Sequence, residues 1–138
     1  HSGGSIVTFD PQSGILFTSD LFGSLGLEWE LFLNLKPECL GCGSLAECPM
    51  GRKICPIRDI LNFHKTVMPS EKALRYSLDL ILDIPFTTIA PQHGSIINDK
   101  ETLRYVFESL AALKGVGIDG IIDDDYRFNL DKIEQRFK

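Results

Sequence analysis

The sequence predicts an α/β domain, and three observations lead to that class. Short runs rich in β-branched and aromatic residues occur at residues 5–10, 14–20 and 86–90, and such runs are typical of strands. Two longer segments repeat apolar residues at intervals of three and four, which is the period of an amphipathic helix. At 138 residues, of which 43% are hydrophobic, the chain can bury one hydrophobic core. We therefore expect the order strand, strand, irregular segment, helix, strand, helix.

The first two strands are predicted to form a β-hairpin. The runs SIVTFD and GILFTSD flank residues 10–14, whose Asp, Pro, Ser and Gly favour a turn. Residues 21–35 mix glycines with aromatic and acidic residues and have no clear period, so we predict a loop with one helical turn at residues 28–33. Residues 36–56 contain several glycines and prolines, which indicates an irregular loop.

The second half of the chain is predicted to be helical, with one strand between two helices. The first helix starts after Pro69 and Ser70, and the residues on its apolar face are Leu74, Leu78, Ile81 and Leu82. The strand is FTTIA, which is short, β-branched and followed by a proline. The second helix starts at Asn98 or Asp99, either of which is a good N-cap, and its apolar face contains Leu103, Val106, Phe107 and Leu110. The charged tail has a weak helical pattern through Leu130, Ile133 and Phe137, which indicates an edge helix or a linker.

Composition excludes several classes of partner. The formal net charge of −5 argues against binding to nucleic acid or to an anionic membrane, because phosphates require a basic surface. No apolar run approaches the roughly 18 residues that span a bilayer, and the first residues do not have the pattern of a secretion signal. We therefore expect a cytoplasmic protein whose ligand is a small neutral or metal-bound molecule.

Three residues at the ends of predicted strands are candidate metal ligands: His1, Asp20 and His93. Imidazole nitrogen and carboxylate oxygen suit a divalent metal, and one carboxylate can bridge two ions. Each residue also has an ordinary structural interpretation. A histidine after a strand is usually structural or exposed, and Ser-Asp before a loop with glycine is usually a turn or a helix cap.

The three residues belong to segments that together resemble a known family. The segments HSGGSIVTFDPQSGILFTSDLFG, FHKTVMPSEKALRY and IAPQHGSII resemble the second half of a metallo-β-lactamase-fold domain of the flavodiiron and oxygen-binding di-iron type. The resemblance covers residues 1–98, with the cysteine-rich residues 36–56 as an insertion and residues 99–138 as a C-terminal helix and a tail or linker. It implies that the chain forms the C-terminal half of an αββα sandwich. It also implies two iron ions, which Asp20 bridges and to which His1 and His93 are terminal ligands.

The sequence departs from that family in one respect that affects function. The first ligand motif of the family, a His-x-Glu-x-Asp-His run in the N-terminal half of the domain, has no match in this chain. We therefore expect residues 1–138 to hold half of a di-iron site that is shared with an N-terminal half outside this sequence. Without that half, one face of the sandwich is uncovered, so we expect exposed apolar surface or pairing with a second copy of the chain.

The resemblance leaves three functions open. The first is a di-iron domain that binds or reduces oxygen; if it is an enzyme of the oxygen reductase type, this chain alone is inactive. The second is a metallo-hydrolase of the same fold that acts on a thioester or an ester. The third is an oxygen or redox sensor without turnover that passes its state to an output domain, and the helical ending LDKIEQRFK favours it.

His64 lies within one of the resembling segments but is not a direct metal ligand in the family. One interpretation is a structural, partly buried residue near the start of a helix. The other is a residue that supports the metal ligands or gates access of the substrate.

The four cysteines lie close together in the pattern Cys-x2-Cys-x5-Cys-x6-Cys, as Cys39, Cys42, Cys48 and Cys55. A Cys-x2-Cys pair is a common metal-binding spacing, and four thiolates can bind zinc or an iron-sulfur cluster. A proline follows both Cys48 and Cys55, which slightly favours a cluster. A reversible dithiol switch and four unliganded thiols remain the alternatives.

Overall fold

The computed structural model describes residues 5–26, 29–40, 42, 48, 55–122, 126–127 and 129–137. Its sheet contains β1 (Thr8–Asp10), β2 (Ile15–Phe17) and β3 (Thr88–Ala90) in that order. β1 and β2 pair in antiparallel fashion, whereas β2 and β3 pair in parallel. The predicted hairpin and the predicted strand in FTTIA are confirmed, although each observed strand is shorter than its predicted run.

Two further segments lie beyond β3 and are joined to it and to each other by isolated bridges. Ile97 exchanges two backbone hydrogen bonds of 2.9 Å with Ile89, and Ile96 makes two of 2.8 Å with Leu31 and Leu33. The predicted helical turn at residues 28–33 is therefore wrong for residues 29–33, which run beside residue 96. Pairing with a distant segment has overridden the weak local preference for a helix.

The described part of the chain also contains four α-helices. They are α1 (Pro56–Val67), α2 (Glu71–Leu82), α3 (Lys100–Ala111) and α4 (Asp131–Phe137), and short 3₁₀ turns occur at Pro37–Cys39 and Ile118–Gly120. The predicted caps are confirmed: the Ser70 hydroxyl accepts from Ala73 N at 3.1 Å, and the Asp99 carboxylate accepts from Thr102 N at 2.8 Å. The sequence interpretation missed α1. None of the described helices is long and apolar enough to cross a bilayer.

The core lies between one face of the sheet and the helices. Strand register places Leu16 beside Ile89, and both side chains are completely buried in the cluster that contains the apolar residues of α1, α2 and α3. On the opposite face of the sheet, Phe17 is 47% exposed. Leu82, which was predicted on the apolar face of α2, is instead 62% exposed, because it lies at the last residue of the helix.

The segment after α3 folds back over the junction of α1 and α2. Gly117 N donates to Lys65 O at 2.9 Å, and Ile118 N donates to Pro69 O at 3.0 Å. The Glu71 carboxylate accepts from Gly115 N at 2.8 Å, and these contacts hold the pKa of Glu71 below its usual range, chiefly through the bond from Gly115. Residues 113–120 are thus part of the same packed unit as α1 and α2.

Candidate metal centre

Asp20 and His93 lie on two loops that leave the same edge of the sheet. Asp20 follows β2 and His93 follows β3, and parallel pairing brings the carboxyl ends of these strands side by side. His93 Nδ1 lies 3.1 Å from Asp20 Oδ1. The structure thus brings two of the three predicted ligands into contact, whereas His1 lies outside the described residues.

Backbone hydrogen bonds join the two loops on both sides of this contact. Thr18 N donates to Ala90 O at 3.2 Å, and Gln92 N donates to Ser19 O at 2.7 Å. Beyond Asp20, Ser24 N donates to His93 O at 3.1 Å. The position of the Asp20 loop relative to the His93 loop is therefore set by main-chain pairing as well as by the side-chain contact.

Gly23 is required where the two loops approach each other. A Cβ atom at this position would lie 2.7 Å from His93 O and 2.9 Å from Asp20 O, closer than carbon and oxygen atoms approach in proteins. Only a residue without a side chain allows this separation. The sequence signal for this feature was the glycine three residues after Asp20, but nothing local indicated that its partner is the His93 loop.

The Asp20 loop has an unusual backbone conformation. Ser19 and Phe22 both have positive φ angles, 53° and 69°, which cost a residue with a side chain about 1–2 kcal/mol. Such conformations persist where the surrounding structure enforces them, and they are frequent at functional sites. Here Leu21 N donates to Thr18 O, and Gly23 N donates to Asp20 O. The ring of buried Phe22 packs against that of Phe107, with the ring centroids 4.8 Å apart.

His64 contacts the same loop from α1. Its side chain is completely buried, with Nε2 accepting from Phe22 N at 3.0 Å and Nδ1 lying 2.8 Å from Ile60 O. The carbonyl oxygen can only accept, so Nδ1 carries the proton and Nε2 has the lone pair. Burial lowers the pKa of His64, which favours this neutral form. The prediction of a partly buried residue near a helix start was wrong, because His64 lies toward the end of a helix that the sequence interpretation missed.

A largely apolar, open cavity of about 370 Å³ adjoins the Asp20 loop. Its lining includes Thr18 and Leu21 from the loop, Val7 from the approach to β1, Met68 from the end of α1, and Ala73 and Ile81 from α2. A cavity of this size and character suits a small uncharged ligand.

The donors at this edge suit half of a metal centre. One carboxylate and one imidazole are typical ligands of iron, and their side chains are 34% and 48% exposed, so both can reach an ion or a partner surface. Within the described residues, no three His, Cys, Asp or Glu side chains come together as a metal site. A complete centre would therefore need donors beyond those that the described part of the chain supplies.

All four cysteines lie among the described residues, although most of the segment between them does not. Each of them has intermediate exposure. Among the described residues, no three of these cysteines come together as a metal site, so their positions do not support a zinc or iron-sulfur site. Metal binding and a dithiol switch at Cys39, Cys42, Cys48 and Cys55 stay predictions.

Solved structures that are similar to this chain include two of a chemotaxis sensor. One is described as the peroxy diiron species of the chemotaxis sensor ODP, with a TM-score of 0.65 and 25% sequence identity over 88% of this chain and 44% of that chain. The other is the apo state of the chemotaxis sensor ODP from T. denticola, with a TM-score of 0.63 and 24% identity over 88% of this chain and 43% of that chain. The chain thus spans less than half the length of these proteins.

The sequence itself matches a family model over residues 1–94, and that model is described as ODP family beta lactamase. No curated protein sequence matches the chain significantly. The matched range includes β1, β2, β3 and both loops of the candidate metal centre. The chain belongs to the ODP family of β-lactamase-like domains.

Proposed function

We propose that residues 1–138 form the second half of an oxygen-binding di-iron sensor module. The observation that carries this proposal is the 3.1 Å contact between His93 Nδ1 and Asp20 Oδ1 at the ends of adjacent parallel strands. A similar solved structure is described as a diiron species of a chemotaxis sensor, which supports iron as the metal and sensing as the role.

Asp20 and His93 have different parts in the proposed centre. With its two oxygen atoms the Asp20 carboxylate would bridge two ions, and His93 and His1 would each ligate one of them. An N-terminal half of the domain supplies the remaining ligands. When bound, the iron pair supplies the affinity for oxygen that protein side chains lack.

The protein contributes preorganisation. Main-chain hydrogen bonds from Thr18, Gln92 and Ser24 fix the two loops before any ion binds. Little conformational freedom is then lost when the ligands meet the metal, and this favours tight binding by the completed site.

The exposed sheet face is the proposed contact with the N-terminal half. Strand register aligns Thr8 with Phe17 and Phe17 with Ala90 on this face, away from the helices. An apolar sheet face is normally covered by a second layer, and in an αββα sandwich that layer is another sheet. Coverage of 44% of the similar chain agrees with a chain that forms one half of such a domain.

The test is iron reconstitution of the full-length protein that contains these residues, followed by exposure to oxygen. We expect two irons per chain and an absorption change that reverses when oxygen is removed. Asp20→Asn and His93→Ala should lose iron, whereas Asp79→Asn, an exposed carboxylate on α2, should retain it.

Other outcomes would assign the module differently. Iron that is fully retained by Asp20→Asn would contradict the proposed centre. Multiple turnovers of oxygen reduction would identify a reductase of the flavodiiron kind, and zinc content with thioester hydrolysis would identify the hydrolase.

A further inference from the structure

The amide of Phe22 has an unusual partner for a loop residue. Within the Asp20 loop, Leu21 N and Gly23 N donate to backbone carbonyls of the same loop. Phe22 N, which lies between them, instead donates to the Nε2 atom of His64 at 3.0 Å, across 42 residues of sequence. The middle of the loop is therefore attached to a side chain of α1.

The acceptor, the His64 ring, is fixed by contacts of its own. The His64 ring is completely buried, and the bond between Nδ1 and Ile60 O at 2.8 Å fixes the ring orientation from its own helix. A second contact fixes the ring's surroundings, since Phe63 lies edge-on to it with centroids 5.4 Å apart. Nε2 is thus presented to the loop in one orientation and one tautomer.

Loss of this acceptor would release the part of the loop that sets the direction of Asp20. Phe22 has a φ of 69°, a conformation that a residue with a side chain leaves unless other contacts hold it. Without Nε2, the buried Phe22 N–H has no acceptor, and the cost of this unpaired group favours rearrangement of the loop. Asp20 lies two residues before Phe22, and its carbonyl accepts from Gly23 N in the same turn.

We propose that His64 is the positioning residue of the metal centre: its Nε2 atom holds the Phe22 amide and thereby keeps the Asp20 carboxylate against His93. The proposal rests on the proposed function for its consequence for metal binding, but its structural part holds without metal. His64 itself ligates no ion.

Three substitutions separate the two ring nitrogens of His64. Gln places an acceptor oxygen near the position of Nε2, Asn places a donor near the position of Nδ1 but has nothing at Nε2, and Ala removes both. Ile57→Ala is the matched control, because Ile57 is a buried residue of the same helix that makes no hydrogen bond to the loop. It should lower stability without a specific effect on the Asp20 loop.

The first measurement is amide hydrogen exchange of residues 18–24 without metal. We expect exchange of the Phe22 amide to rise about 10–100-fold in His64→Asn and His64→Ala, beyond any global loss of stability, and to stay near wild type in His64→Gln. The second measurement is iron affinity and the optical spectrum of the full-length protein. We expect a 10–100-fold loss of affinity in His64→Asn, with recovery in His64→Gln.

The outcomes separate failure of this proposal from failure of the proposed function. Equal loop exchange in His64→Asn and Ile57→Ala, or iron affinity unchanged in His64→Asn, would overturn the positioning role. If the wild-type protein binds no iron, the proposed function fails, and the exchange comparison alone decides whether His64 fixes the loop. If the variants do not fold, ¹⁵N shifts of the wild-type ring decide, because a protonated Nε2 would exclude the bond to Phe22.

Discussion

Residues 1–138 expressed alone should bind iron weakly, and the number of ligands that they supply gives an approximate Kd. The described residues bring together one carboxylate and one imidazole, Asp20 and His93. If His1 joins them, each of two ions still receives only Asp20 and one histidine. The perturbation is therefore the removal of every ligand that an N-terminal half would supply.

The magnitude follows from metal sites with four protein ligands. Binding of about 10–16 kcal/mol for four ligands in zinc peptides corresponds to about 2.5–4 kcal/mol per ligand. Two ligands then give about 5–8 kcal/mol, which is a Kd between roughly 1 μM and 0.2 mM. Ferrous iron binds more weakly than zinc to the same donors, so these figures are upper limits for affinity.

The assay is anaerobic titration with ferrous iron, followed by desalting and iron analysis, with circular dichroism to verify that the chain is folded. We expect less than one tenth of an iron per chain after desalting. Asp20→Asn should remove the residual binding, because it takes one ligand from each ion, whereas Asp79→Asn should not change it. Two irons per chain that survive desalting would refute the reasoning, because the ligands in an N-terminal half would then be unnecessary.

Three further predictions concern the rest of the chain. Gly117→Ala should destabilise the fold by more than about 2 kcal/mol in urea unfolding, because φ is +57° and the new Cβ would overlap Met68 O. The control is Gly115→Ala, which should cost only about 1–2 kcal/mol, because φ is +63° but the new Cβ would make ordinary contacts. Equal losses of unfolding free energy in the two variants would contradict this prediction. The unfolding free energy should fall below pH 6.5, because the lowered pKa of buried His64 means that the unfolded chain binds more protons there; the slope is at most about 1.4 kcal/mol per pH unit and should be smaller in His64→Gln. If the cysteines bind metal, a chelator should increase hydrogen exchange in residues 36–56 and leave α2 and α3 protected; a response to oxidant and not to chelator would instead indicate the dithiol switch.

Elements with strong local signals were predictable from the sequence. The hairpin has turn residues between two β-branched runs, and Gly14 adopts the positive φ of 70° that such a turn requires. α2 and α3 begin at Ser70 and Asp99, whose side chains accept hydrogen bonds from the first turn as the sequence indicates. In these elements, the residues that determine the structure are neighbours in the chain.

α1 shows why local signals were insufficient elsewhere. Pro56 is at the first helical position, and Ile57, Ile60 and His64 are the buried residues on one face, so a helical pattern exists. One of its three buried positions is a histidine, and the helix adjoins the irregular cysteine segment, so the pattern did not stand out from its surroundings. Residues 29–33 failed for a different reason, since their pairing with residue 96 depends on a contact across the whole fold.

One part of the candidate centre could also be predicted from the sequence, and another part could not. That Asp20 and His93 lie together follows from their places after two strands, once those strands are parallel neighbours. The contact that positions Asp20 could not be predicted from the sequence. His64 accepts from the main-chain amide of Phe22, and every residue type except proline has such an amide. A buried histidine in a helix is compatible with any acceptor or donor within reach. Only the fold shows that one nitrogen is used by Ile60 of its own helix and the other by the loop that carries the carboxylate.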